Sequence, residues 1–174
     1  MSHSSLSELK TLTEFNSLLK HYQVVIVDAW RPDCEPCKYL TPKLEQVQEI
    51  LNNPNLIVVT ENVDVRIHRP DGYPSVYFYI RGDKKPFHVT LGSDYPEIVR
   101  TIAEIYAEMK YPLTDSQKEQ LKAINSNSES QRGSLKSNTT SSKGNSKDAA
   151  ALPSTRRGSN RSNYATYGDL GNGK

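Results

Sequence analysis

Cysteine is scarce in this chain. Its 174 residues hold two, Cys34 and Cys37, separated only by Glu35 and Pro36. So few cysteines exclude a small scaffold stapled by several disulfides. A zinc site needs four ligands, and the four histidines, His3, His21, His68 and His88, do not have the spacing to complete one with the cysteines. Long apolar runs are missing too: no stretch approaches the roughly 18 apolar residues of a membrane span. Met1 to Glu8 lack the charged and apolar segments of a secretory leader, and Gly171-Asn172-Gly173-Lys174 is not a retention signal. These absences point to a cytoplasmic protein, the nucleus also fitting, and away from secretion. In such a reducing compartment a cysteine pair is more often catalytic or metal-binding than structural.

Charge of one sign is scarce overall but not locally. The net charge is +2, yet residues 131–174 hold eight Lys/Arg against two Asp/Glu, and the other 130 residues hold 14 against 18. An acidic domain (−4) therefore carries a basic tail (+6). From residue 125 onward Ser, Asn, Gly, Lys and Arg dominate, a composition too polar to bury a core, so disorder is expected over 125–174. The tail either only solubilises the chain or adds weak, salt-sensitive affinity for an anionic partner. Arg156-Arg157-Gly158-Ser159 reads like a basophilic kinase site, a pattern short enough to arise by chance.

The apolar pattern places the folded part at 8–112, with a flexible 1–7 before it and a helical extension at 113–124. Residues Glu8 to Leu12 read equally as a short strand or a helix start. Thr13 is the expected N-cap of a first helix reaching about Lys20. Gln23 to Trp30 is the expected central strand, because Val24, Val25, Ile26 and Val27 are continuous and β-branched. A second helix starts near Cys34 with Leu40, Leu44, Val47 and Leu51 on one face, and Pro42 interrupts its hydrogen bonding. Strands follow at Leu56–Thr60, Val76–Ile80 and Phe87–Leu91. A helix from Ser93 or Asp94 then carries Ile98, Ile102, Ile105 and Met109. The irregular stretch 64–72 brings Arg66, His68 and Arg69 together, either as a solvated loop or as an anion-binding cluster. The fold class is α/β: a mixed central sheet flanked by helices, parallel first and closed by an antiparallel hairpin.

Several residues together give the chain a family resemblance. Val27-Asp28-Ala29-Trp30 ends the central strand six residues before Cys34-Glu35-Pro36-Cys37-Lys38; Pro42 follows; Gly72-Tyr73-Pro74-Ser75 precedes the third long strand; Gly92 follows the hairpin. In these features residues 8 to 110 resemble the thioredoxin family, the Tyr73-Pro74 loop being similar to the protein disulfide isomerase type. The resemblance implies a thiol–disulfide oxidoreductase acting on protein disulfides and recharged by a thiol reductant, with no cofactor and no metal. It implies that Cys34, at a helix N-terminus that favours thiolate, attacks. Cys37 would resolve the mixed disulfide, Asp28 would take a proton, and Trp30, Tyr73, Pro74 and Gly92 would shape the substrate groove, with a cis bond at Pro74. Asp28 also reads simply as a strand-end carboxylate held by backbone donors.

The departures are specific. Asp33 stands where the family usually has an aromatic, and Glu35 where it has a small residue or His. Both carboxylates oppose ionisation of Cys34, by about one pKa unit or less if exposed. Thr60 stands where a lysine often accompanies the buried acid, and 64–74 is too short for the family's next helix. An alternative function is therefore a thioredoxin-like binding or adaptor module with little or no redox turnover.

Overall fold

The computed structural model describes residues 5–130, with side chains as far as Ser126. These residues belong to one unit, Met1–Ser137, and a second unit, Asn138–Lys174, lies outside them. The strands are β1 (Ser7–Leu9), β2 (Val24–Trp30), β3 (Leu56–Asn62), β4 (Ser75–Ile80) and β5 (His88–Leu91); the helices are α1 (Leu12–His21), α2 (Glu35–Leu51), α3 (Tyr95–Glu108) and α4 (Asp115–Ser130). The sheet order is β1-β3-β2-β4-β5, with β1, β3 and β2 parallel and β4 and β5 antiparallel. This is the expected mixed sheet. Val24 to Val27 lie at its centre, none more than 4 % exposed, because helices cover both faces.

Strand parity sorts the core into two layers. Val24, Ile26, Val58, Val76 and Phe78 face α2, α3 and α4, meeting Leu40, Leu44, Ile98, Ile102 and Leu121. Val25, Val27, Val59 and Tyr79 face α1, meeting Phe15 and Leu19. Helix α2 runs through Pro42 and stops at Asn52, whose left-handed backbone (φ 40°) lets its N–H reach the Gln48 carbonyl.

Three expectations are corrected. The first helix is capped by Thr11, not Thr13: Thr11 Oγ1 accepts from the Glu14 N–H at 3.1 Å, and Glu14 reaches back to the Lys10 N–H at 2.9 Å. The ambiguous stretch before it resolves as a strand that begins at Ser7, inside the segment expected to be flexible. The C-terminal helix runs to Ser130, beyond the expected limit at Ile124. It does so because Leu121 and Ile124 are buried, Tyr95 donates its hydroxyl hydrogen to the Leu121 carbonyl at 2.9 Å, and Lys43 binds the Asn125 side chain at 3.2 Å. Tertiary contacts stabilise a helix that composition alone would not. The rest of the expected tail, 131–174, with its anionic partner, lies outside the described residues. Residues 63–74 contain no helix, as their length implied.

Candidate active site

The turn after β2 delivers Cys34 to the N-cap of α2, and Glu35, Pro36 and Cys37 form the first turn. Pro36 fits there because first-turn N–H groups have no helical acceptor. The Cys37 N–H, one of those orphans, donates to Cys34 Sγ at 3.2 Å. The two cysteines are joined in a disulfide with their Cα atoms 5.3 Å apart. Both sulfur-bearing residues are nearly covered, Cys34 5 % and Cys37 2 % exposed.

Asp28 lies on the α2-facing side of β2 and is wholly buried. Its cross-strand neighbours are Thr60 and Val76, so no counter-charge sits beside it in the sheet. Thr41, one helical turn beyond Cys37, donates its hydroxyl to Asp28 Oδ2 at 2.6 Å, and Oδ1 has no partner. Burial pushes the Asp28 carboxyl up from 3.8 to about 6, the Thr41 hydrogen bond pulling the other way.

The strand register aligns the remaining expected residues. Ala29 opposes Ser75, and Ser75 opposes Leu91. Trp30, Pro74 and Gly92, the next residue along each chain, therefore sit in a row at one end of the sheet. Gly92 N–H donates to the Pro74 carbonyl at 2.8 Å, with Gly92 in the positive-φ region that favours glycine (77°). The Tyr73-Pro74 bond is cis. Pro74 is buried, and Trp30, Tyr73 and Gly92 are half-buried. Arg31 places its guanidinium 5.8 Å from the Tyr73 ring centroid, linking the cysteine loop to the proline loop.

Of the two carboxylates beside Cys34, Asp33 is exposed and Glu35 forms an ion pair with Lys38 at 2.5 Å. That cation offsets the repulsion Glu35 was expected to exert on a Cys34 thiolate.

Sequence reasoning missed Arg31, Thr41 and a second buried acid. Glu61, at 2 % exposure, faces the α1 side, where its Oε1 accepts the His68 N–H at 2.9 Å and its Oε2 meets His68 Nδ1. His68 Nε2 lies 2.7 Å from the Tyr79 hydroxyl. Burial pushes the Tyr79 hydroxyl up, so it keeps its hydrogen. The Arg66, His68, Arg69 run is thus not a solvated loop throughout, since His68 is turned inward to Glu61. Arg66 and Arg69 are exposed, while the His68 side chain is only 6 % exposed. The signal for the missed Thr11 cap was the Thr-x-x-Glu pattern at 11–14; Thr41 had no signal beyond its one-turn spacing from Cys37.

The family model Thioredoxin matches residues 7–104. The thioredoxin of Rickettsia bellii is 32 % identical over 79 residues, 42 % of this chain and 74 % of that protein. The thioredoxin of Coprinus comatus is 30 % identical over 56 residues, which cover 32 % of this chain and about half (53 %) of that protein's length. Among solved structures, Plasmodium falciparum thioredoxin superposes with a TM-score of 0.51 at 20 % identity, over 57 % of this chain and 98 % of that one. Trichomonas vaginalis thioredoxin gives 0.50 at 19 % identity, over 59 % and 99 %. The fold, the disulfide pair at the start of α2 and these matches make the chain a member of the thioredoxin family.

Proposed function

We propose that the chain is a thiol–disulfide oxidoreductase acting on protein disulfides through Cys34 and Cys37. The observation that carries this reading is the disulfide at the N-terminus of α2, with Cys34 Sγ receiving the Cys37 N–H. In the reduced protein that N–H and the helix dipole favour a Cys34 thiolate. The thiolate attacks one sulfur of a substrate disulfide, the substrate S–S bond breaks, and the departing thiolate takes a proton from water. The Cys37 thiol gives its proton to the Asp28 carboxylate, and Cys37 sulfur then attacks Cys34 Sγ. The second substrate thiolate leaves, and the Cys34–Cys37 disulfide closes. Two electrons have passed from the dithiol to the substrate, and an external thiol reductant returns them.

In this reading Trp30, Tyr73, Pro74 and Gly92 bound the groove for an extended substrate segment, supported by their alignment at one end of the sheet. Such a dithiol works in a reducing compartment, the cytosol or nucleus; the support is compositional, a single closely spaced cysteine pair.

Insulin reduction with dithiothreitol as reductant tests the reading. Activity is expected in the wild type and lost in Cys34→Ser, whereas Cys37→Ser accumulates a mixed disulfide. A wild type that cycles its disulfide but leaves insulin oxidised would overturn it in favour of a binding or adaptor module. The observation favouring that second reading is the charged rim at Cys34: exposed Asp33 and the Glu35–Lys38 pair.

A further inference from the structure

Asp28 is a buried acid without a counter-ion. Across the sheet it faces Thr60 of β3 and Val76 of β4, neither ionisable. Glu61, one residue further along β3, points to the opposite face with His68 and Tyr79. From α2 the groups on this face are Thr41 and the Cys34–Cys37 disulfide. Burial and the Thr41 hydroxyl account for the Asp28 titration, and no charged side chain contributes. The hydroxyl therefore supplies the polar support for the carboxylate.

Thr41 lies four residues after Cys37, so the two share one face of α2, with side chains tilted toward the helix N-terminus. The bond from Thr41 Oγ1 to Asp28 Oδ2 thus ties the carboxyl to the residue of α2 one turn beyond Cys37. An ionised carboxylate can only accept, so Thr41 donates to it. Oδ2 is then occupied, and Oδ1 is buried without a partner.

We propose that Thr41 is a positioning residue for the proton step: its hydroxyl holds Oδ2, stabilises the ionised carboxylate where no cation does, and leaves Oδ1 as the oxygen that accepts the Cys37 proton. The atoms balance simply. The Cys37 S–H bond breaks, an O–H bond forms at Oδ1, and the electron pair left on Cys37 sulfur makes the new S–S bond. The role of Oδ1 rests on the oxidoreductase reading above; the Thr41–Asp28 bond does not.

Two measurements test the proposal. The first is a carboxyl 13C NMR titration of Asp28 in the disulfide form of the full chain, comparing wild type with Thr41→Val and Thr41→Ser. Valine keeps the volume and removes the donor; serine keeps the donor. The wild-type midpoint is expected near 6. Losing a hydrogen bond to a charged group should raise it by about one pH unit in T41V, and T41S should stay close to wild type. A T41V midpoint that stays put or falls overturns the assignment, as does a T41S midpoint matching that of T41V.

The second follows the release of two thionitrobenzoate equivalents when the reduced protein reacts with 5,5′-dithiobis(2-nitrobenzoate). The first release reports Cys34, and the second reports resolution by Cys37. The acid limb of the second step should move up with the Asp28 midpoint, slowing resolution at pH 6 by about five-fold in T41V while the first step is unchanged. A moved midpoint with an unmoved second step overturns the proton role. A protein that never releases the second equivalent refutes the oxidoreductase reading instead, and the titration still decides the hydrogen bond.

Discussion

Replacing Asp28 by asparagine should stabilise the folded protein at neutral pH and not in acid. Burial raises this carboxyl from 3.8 to about 6. Below pH 3.8 it is protonated in both the folded and the unfolded chain, and its ionisation costs nothing. Between 3.8 and about 6 the unfolded chain has released the proton and the folded one has not, so stability falls as pH rises. Above about 6 the loss is complete and constant. A difference of about two pKa units corresponds to roughly 3 kcal/mol. The asparagine side chain is neutral throughout and lacks this slope. Its amide would occupy the unpartnered Oδ1 position, where the protonated acid also leaves its hydrogen unsatisfied, so that cost largely cancels. Guanidinium unfolding of the disulfide form, followed by circular dichroism from pH 3.5 to 8, should therefore show wild type and D28N nearly equal at the acid end. The variant should be more stable by roughly 3 kcal/mol at pH 7, or roughly 10 °C in Tm. A difference that is constant with pH, or that favours the wild type increasingly toward pH 7, would refute the reasoning.

Two further outcomes follow from packing. His68→Ala takes the imidazole from Glu61 Oε2 and leaves only the backbone N–H of residue 68 on Oε1, and should cost roughly 3 to 5 kcal/mol in denaturant unfolding; a loss under about 1 kcal/mol would mean water replaces the imidazole. Leu121→Ala removes a side chain with no exposed surface from α4 and should cost roughly 2 to 5 kcal/mol, although it lies outside the region the family model matches, 7–104. A neutral result would show that α4 is not part of the cooperative unit.

The sheet was legible because Val24 to Val27 can be buried only under two layers, and α2 because Leu40, Leu44, Val47 and Leu51 recur at helical spacing. The cysteine pair, the buried acid and the cis proline were legible through the family resemblance, carried by Cys34-Glu35-Pro36-Cys37, by Asp28 six residues before it and by Tyr73-Pro74 ahead of β4. What escaped was set by contacts between elements. Thr41 meets Asp28 across 13 positions, from a helix to a strand, and nothing local marks it. Glu61 lies one residue past the expected strand Leu56–Thr60, and its partner is a histidine that the following loop folds onto it. The last helix was expected at 113–124, but its end at Ser130 escaped, because the polar sequence there carries no apolar periodicity, and Leu51, Tyr95 and Lys43, from other elements, hold the helix in place.

The two buried acids show how one register produces two chemistries. Asp28 pairs with Thr60, and its neighbour Ala29 pairs with Glu61. The carboxyls are one step apart along the ladder and, by strand parity, point to opposite faces of the sheet. On the α1 face, where the family's usual third helix is missing, both oxygens of Glu61 are taken by His68, and Tyr79 holds the ring from behind. A fully satisfied buried network of this kind is rigid, and it ties the loop 63–74 to the sheet. On the α2 face only Oδ2 of Asp28 is held, by Thr41, and Oδ1 is left unpartnered. With a buried oxygen that has no partner and a carboxyl raised by burial to about 6, Asp28 has the features that proton transfer near neutral pH requires. On the oxidoreductase reading proposed above, Asp28, on the α2 face, is the acid placed to serve the cysteine pair, and the Thr41 hydroxyl sets the pH at which it would do so.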